Sequence, residues 1–182
     1  MRNKERALEA YLVAASRGGD TRAMDGLVRL RGPRLRAHAA RLLGDGEVAQ
    51  DIVQEAWADI LRGLHGLRDE RAFLPWALQI VSRRVAREIA GRQRQRRLAE
   101  EYGAEAEDRL EDLAGNTFDA GKVRQAVNGL PADHKATIAL FYLEDMTVAE
   151  VAVALDVPPG TVKTRLMHAR AKLRRALEGD GK

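Results

Sequence analysis

Two blocks of basic side chains are the residues best able to do chemistry in this chain, and that chemistry is phosphate neutralisation. Arg83, Arg84, Arg87, Arg92, Arg94, Arg96 and Arg97 form the first block; Lys163, Arg165, Arg170, Lys172, Arg174 and Arg175 form the second. Guanidinium groups pair with phosphate oxygens, and an aromatic ring on the same face can stack an unpaired base. Helical spacing puts Trp76 on the arc of Arg83 and Arg87. The same face would equally suit a solvated stripe or an amphipathic helix against an anionic membrane, with Trp76 packed under a neighbouring loop. Asp51, Gln54, Glu55 and Asp59 gather on one side of an earlier helix. They suit a basic protein partner or simple solvation.

Enzyme chemistry finds little to work with. His38, His65, His134 and His168 are scattered, with no i,i+4 pair to hold a metal ion. The run Gly44-Asp45-Gly46 lacks the third glycine and the preceding strand of a phosphate-cradling loop. Neither Ser16 nor Ser82 has an evident base beside it. With 0 cysteines, disulfides, iron–sulfur clusters and thiolate zinc sites are excluded. We expect no catalytic residues, metal or cofactor.

The elements that must position these residues are helices. The chain has 182 residues, 45% hydrophobic, 32% charged and 4% aromatic, with a net charge of +4. That composition suits an all-α protein with lean cores and excludes a disordered chain. No apolar run approaches the ~18 residues of a membrane span, so the cytoplasm is the default location. Val48, Ile52, Val53, Ala56, Trp57, Ile60, Leu61 and Leu64 recur at helical spacing, as do Leu74, Leu78, Val81, Val85 and Ile89. The second helix is expected to end near Gly91 or to run beyond its domain. Glycines and a run of acidic residues, Glu100, Glu101, Glu105, Glu107, Asp108, Glu111 and Asp112, then interrupt the pattern. This predicts a first domain over residues 1–97, an acidic linker over 98–121 and a smaller second domain over 122–182.

The second domain carries the sharpest local signal. Thr147-Val148-Ala149-Glu150 is a capping box opening a short helix that stops before Pro158-Pro159-Gly160. Thr161 is expected to cap a longer helix that buries Val162, Leu166, Ala169, Leu173 and Leu177. Short helix, tight turn and basic helix make a helix-turn-helix, with an ordinary αα-hairpin as the plainer reading. Lys163, Thr164, Met167 and His168 lie on its outer side, where base edges and phosphates are read.

Taken together, these segments resemble bacterial sigma factors of the extracytoplasmic-function (ECF) group. Arg41-Leu42-Leu43-Gly44-Asp45 through Ala49–Trp57, then Phe73-Leu74-Pro75-Trp76-Ala77-Leu78-Gln79-Ile80, resemble sigma region 2. Leu130-Pro131 through Tyr142, Gly160–Leu166 and Ala169–Leu173 resemble region 4. The resemblance implies docking on the clamp helices of the largest subunit of core RNA polymerase through Asp51, Gln54 and Glu55, with a further contact at the polymerase flap. It implies that the loop from His65 to Phe73, Trp76, Arg83, Arg84 and Arg87 meet the minus-ten element of promoter DNA. Lys163, Thr164, Met167 and His168 would read the minus-thirty-five element. An anti-sigma factor is a further partner the group admits. The sequence departs from the group's pattern at Val81-Ser82-Arg83, at Glu88, and at His168 where many members have Arg. A free-standing helix-turn-helix regulator and a protein-interaction module are the alternatives.

Overall fold

The computed structural model describes residues 2–101 and 126–178. Most of the expected linker therefore lies outside the described residues. Everything described is helix or short connection: α1 (Arg2–Arg17), α2 (Thr21–Leu43), α3 (Gly46–Gly63), α4 (Phe73–Glu101), α5 (Ala132–Ile138), α6 (Val148–Leu155) and α7 (Pro159–Glu178). The all-α expectation of two small helical domains holds.

In the first domain α2 is the central helix and packs against α1, α3 and α4. Leu27, Leu35, Ile60, Phe73, Leu78, Val81 and Val85 are almost fully buried between these helices. One charge goes in with them. Arg31 is 1% exposed, bonded to Glu9 and, at 2.8 Å, to Glu5. Burial pushes the Glu9 carboxyl above its ordinary range, against the pull of Arg31. The helix ends are fixed by short polar residues. Asp20 accepts from Arg22 N and Ala23 N at the start of α2. Gly44 ends that helix at φ +74°, and Asp45 at once caps α3 by accepting from Glu47 N and Val48 N. The Gly44-Asp45 pair is a helix stop followed by a helix start.

The second domain shows the expected capping box. Glu150 N donates to Thr147 Oγ1, and Thr147 N donates to the Glu150 carboxylate. Two expectations need correction. The long helix begins at Pro159, two residues before Thr161, because Pro at the first helical position has no N–H to leave unpaired. The apolar stripe of α3 is also narrower than expected, since Leu61 is 50% exposed while Ile60 and Leu64 on either side of it are buried. Helix α4 takes the second of its two expected endings, running through Gly91 to Glu101, four residues into the expected linker. After α5 the chain widens into a single π-helical turn over Ala139–Leu143, a feature apolar spacing does not announce.

The two domains are docked. Helix α6 packs on α4, and α5 packs on α2. Val151 and Ala154 of α6 are fully buried. A polar relay crosses the seam: the Ser82 hydroxyl donates to Ala154 O at 2.6 Å, and His38 Nε2 lies 2.9 Å from the same hydroxyl. Because that hydroxyl proton is committed to Ala154, His38 must donate from Nε2. Its Nδ1 is left without a partner. Burial, reinforced by Arg41, pushes the His38 imidazole down to about 3, so it is neutral at physiological pH.

Candidate nucleic-acid interface

Three helical faces carry the expected functional residues. On α3, Asp51, Gln54 and Glu55 are all exposed and lie three and four residues apart, on one side of the helix. Behind them, Arg29, Pro33 and Arg36 of α2 and Val53 and Trp57 of α3 line a shallow groove, with Gln50 and Gln54 at its edge. The acidic face is therefore open and has an apolar floor beside it.

On α4, Trp76 is half-buried rather than projecting with the arginines. Phe73 sits between two indoles, 6.5 Å from Trp57 and 6.0 Å from Trp76. Gly63, at the end of α3, makes room for the Trp76 ring, since a Cβ there would come within 3.0 Å of its Cζ2. Of the loop between α3 and α4, Leu64 and Leu67 are buried while His65, Gly66, Arg68 and Asp69 face solvent. Asp69 steadies that loop by accepting from Arg71 N at 2.9 Å, and Arg17 of α1 pairs with Glu70 at 2.6 Å. The result is an anchored rim with an exposed lip.

The arginines of α4 divide by direction. Arg84 turns toward α3, where it bonds Glu55 and, at 2.5 Å, Asp59. The bond from Arg84, with help from Arg62 and Arg87, holds the Asp59 carboxyl below the usual carboxylate range. Arg83 faces the second domain and pairs with Asp156 at 2.9 Å. Arg87 is exposed. Sequence reasoning put these three together; the structure gives them three different neighbourhoods.

On α7, Lys163, Thr164, Met167 and His168 are exposed along the first three turns, with Met167 58% exposed. The Thr164 hydroxyl donates to Gly160 O at 3.1 Å. The His168 ring stacks at 6.4 Å on His134 of α5, whose Nδ1 is 3.0 Å from Asp133; Arg165 holds the other oxygen of that carboxylate at 3.0 Å. Burial would raise the Asp133 carboxyl, yet His134 and Arg165 together bring it below its ordinary value. Sequence reasoning missed this support for His168. The adjacent Asp133-His134 pair was its one signal. Arg170 and Lys172 of the basic block serve the fold instead: Arg170 lies over the Phe141 and Tyr142 rings and bonds the Tyr142 hydroxyl, and Lys172 bonds Gly129 O.

No cluster of metal-ligating side chains occurs among the described residues. What the three faces offer is binding.

Residues 27–95 match the model of Sigma-70 region 2, and residues 120–173 that of Sigma-70, region 4. The chain is 31% identical over 171 residues to the ECF RNA polymerase sigma factor SigM of Mycobacterium tuberculosis, covering 93% of this chain and 84% of SigM. The chain belongs to the ECF sigma factors. This sigma factor is also 26% identical to the RNA polymerase sigma-H factor of Pseudomonas aeruginosa, over 93% of its own length and 94% of the relative's. Its fold matches the sigma factor RpoE of Bartonella quintana, solved in complex with the anti-sigma factor NepR: TM-score 0.66, 23% identity, 86% of this chain and 98% of that one. The sigma factor's departures from the group pattern have structural work to do. Ser82 bridges the domain seam, and Glu88 pairs with Arg92 at 2.8 Å.

Proposed function

We propose that this ECF sigma factor directs core RNA polymerase to promoters with the following division of labour. The open α3 face of Asp51, Gln54 and Glu55 docks on the polymerase clamp helices, with the second domain reaching the flap. The lip at His65–Asp69, Trp76 and the arginines Arg83 and Arg87 of α4 hold the minus-ten element as unpaired strands, while Arg84 braces the two helices. Lys163, Thr164, Met167 and His168 read the minus-thirty-five element as duplex. No helix of the described residues is long and apolar enough to cross a membrane, in keeping with a factor that works in the cytoplasm. It contributes no bond-making chemistry; its effect is to bind the melted promoter better than the closed one, which shifts that equilibrium.

The observation that carries this reading is the α7 row. Four side chains able to meet bases and phosphates stand exposed on the longer helix of a helix-turn-helix, in a chain whose other half matches region 2. A free-standing regulator would need the α7 row but not the open acidic face of α3. Co-elution with bacterial core RNA polymerase tests the difference. Wild type is expected to co-elute and the reversal Asp51→Lys with Glu55→Lys is not. Failure of both to co-elute, alongside tight duplex binding by the protein alone, would establish the regulator instead.

A further inference from the structure

Helix α1 lies ahead of residues 27–95, the region 2 match, and the proposed function gives it no part. Its sequence nevertheless carries a regular stripe: Glu5, Glu9, Val13 and Arg17 follow one another at four-residue steps, so they share one side of the helix. Arg31 of α2, 1% exposed, bonds Glu9 and, at 2.8 Å, Glu5. Val13 is fully buried, and Leu12 beside it sits against Gly26, where a Cβ would come within 3.2 Å of the leucine Cδ2. At the far end of the stripe, Arg17 Nη1 donates to Glu70 Oε1 at 2.6 Å, 53 residues along the chain.

Glu70 belongs to the short turn that closes the loop between α3 and α4. The lip of that loop, His65, Gly66, Arg68 and Asp69, is exposed. Within the α3–α4 hairpin it is held by short-range ties, the buried Leu64 and Leu67 and the Asp69 carboxylate that accepts from Arg71 N. The Arg17–Glu70 pair ties it to a different element, and α1 packs on both turns of the loop, Leu64–Gly66 and Glu70–Ala72. We propose that α1 is a strut for this lip and that Arg17 is a positioning residue for minus-ten base selection. This deepens the proposed function and rests on its assignment of the lip to the minus-ten element.

The buried fork sets the register of the strut. A guanidinium taken out of water between two carboxylates one turn apart leaves α1 few ways to slide or roll, because a shift would strand a buried charge. Glu5 to Arg17 spans about 18 Å of helix, so the fork at one end fixes where the other end stands. A base-binding loop already in place loses less freedom on binding than one that must follow its ligand, and it accommodates a wrongly shaped base less readily. The plainer role for Arg17 is to face the C-terminal dipole of α1, in whose last turn it lies. That role has no need of Glu70.

The test uses holoenzyme assembled from bacterial core RNA polymerase and the full chain, on a promoter that wild type opens and on copies with one minus-ten base changed. Permanganate footprinting gives the rate of opening on each, and the readout is the ratio of parent to changed promoter. Arg17→Glu and Glu70→Arg are each expected to lower that ratio about threefold to fivefold, the worth of a partly exposed ion pair. Combining them re-forms the pair with its charges exchanged and should restore the ratio to within about twofold of wild type. Arg17→Lys should keep most of it. Asp25→Arg, exposed on α2, makes the same charge change as Glu70→Arg and should leave the ratio alone. A merely structural pair would slow opening on all the promoters alike. Unchanged ratios in the single variants, or no recovery in the double, would overturn the strut where His65→Ala with Arg68→Ala does lower the ratio. If that lip variant is as selective as wild type, the minus-ten assignment of the lip falls instead.

Discussion

Arg84 of α4 is bonded to Glu55 of α3, so a side chain the family resemblance assigns to DNA holds one it assigns to polymerase. The Arg84 side chain is only 20% exposed and also donates from Nε to Asp59 at 2.5 Å. Such a guanidinium is better placed to brace two helices than to follow a strand.

A brace and a DNA contact respond differently to truncation. Arg84→Ala removes charge-assisted bonds that are partly sheltered, and is expected to cost about 1–2 kcal/mol, a fall of several degrees in melting temperature. Arg87→Ala, at an exposed position, is expected to leave the melting temperature within about 1 °C while weakening promoter opening. Thermal denaturation followed by circular dichroism, set beside permanganate footprinting of the open complex, separates the two. An unmoved melting temperature for Arg84→Ala would return that residue to the DNA face.

The buried His38 makes a prediction about acid. Its imidazole is lowered from 6.5 to about 3 in the folded chain, by burial first and by Arg41 second. The unfolded chain therefore binds the extra proton across the window between those values, and stability falls as pH falls through it. From His38 alone the loss between pH 7 and pH 5 is expected to be about 2 kcal/mol. His38→Gln can still donate to Ser82 but does not titrate, so chemical denaturation at the two pH values should show most of this loss in wild type and little in the variant. Parallel loss in both would clear His38.

How far the sequence could be read depended on whether the signal was local. The capping box at Thr147–Glu150 and the outward row at Lys163–His168 depend on residues within one helical turn, and both stand as spacing predicts. The directions of Trp76 and Arg84 were not fixed by spacing: the indole settles beside Gly63 and Phe73, while Asp59 and Glu55, 25 and 29 residues away, draw the guanidinium across. Asp156 reads as ordinary turn chemistry. Only docking of the domains brings it to Arg83, 73 residues away. Helix type was legible from periodicity; pairing across helices was not.

The α7 row should split into position and sequence. Lys163 is exposed and carries a compact charge suited to phosphate. Holoenzyme with Lys163→Ala is expected to bind all promoters more weakly, with the log affinity against log salt slope reduced by about 1. Met167→Ala removes an apolar contact and should leave that slope unchanged while altering preference among minus-thirty-five variants, by about 1 kcal/mol at the affected position. Salt titrations on a small promoter set distinguish the two. A changed slope for Met167→Ala with unchanged preference would mean that α7 is docked in another register.

Gly63 offers a way to disturb Trp76 without touching any DNA-facing group. A methyl at position 63 would sit 3.0 Å from Trp76 Cζ2, tighter than ordinary van der Waals contact. The ring must then shift by a few tenths of an ångström against Phe73, at a cost of about 1–2 kcal/mol for overpacking. Asp51, Gln54 and Glu55 sit on the outer face of α3, so Gly63→Ala should co-elute with core polymerase as wild type does. Promoter opening should fall if the Trp76 ring must hold its present angle to receive an unpaired base. The companion variant Trp76→Ala sets the floor for that loss. Full opening by Gly63→Ala together with a large defect in Trp76→Ala would show that the indole need only be present. Full opening by both would make Trp76 a packing residue, and the exposed lip at His65–Asp69 would then have to hold the base alone.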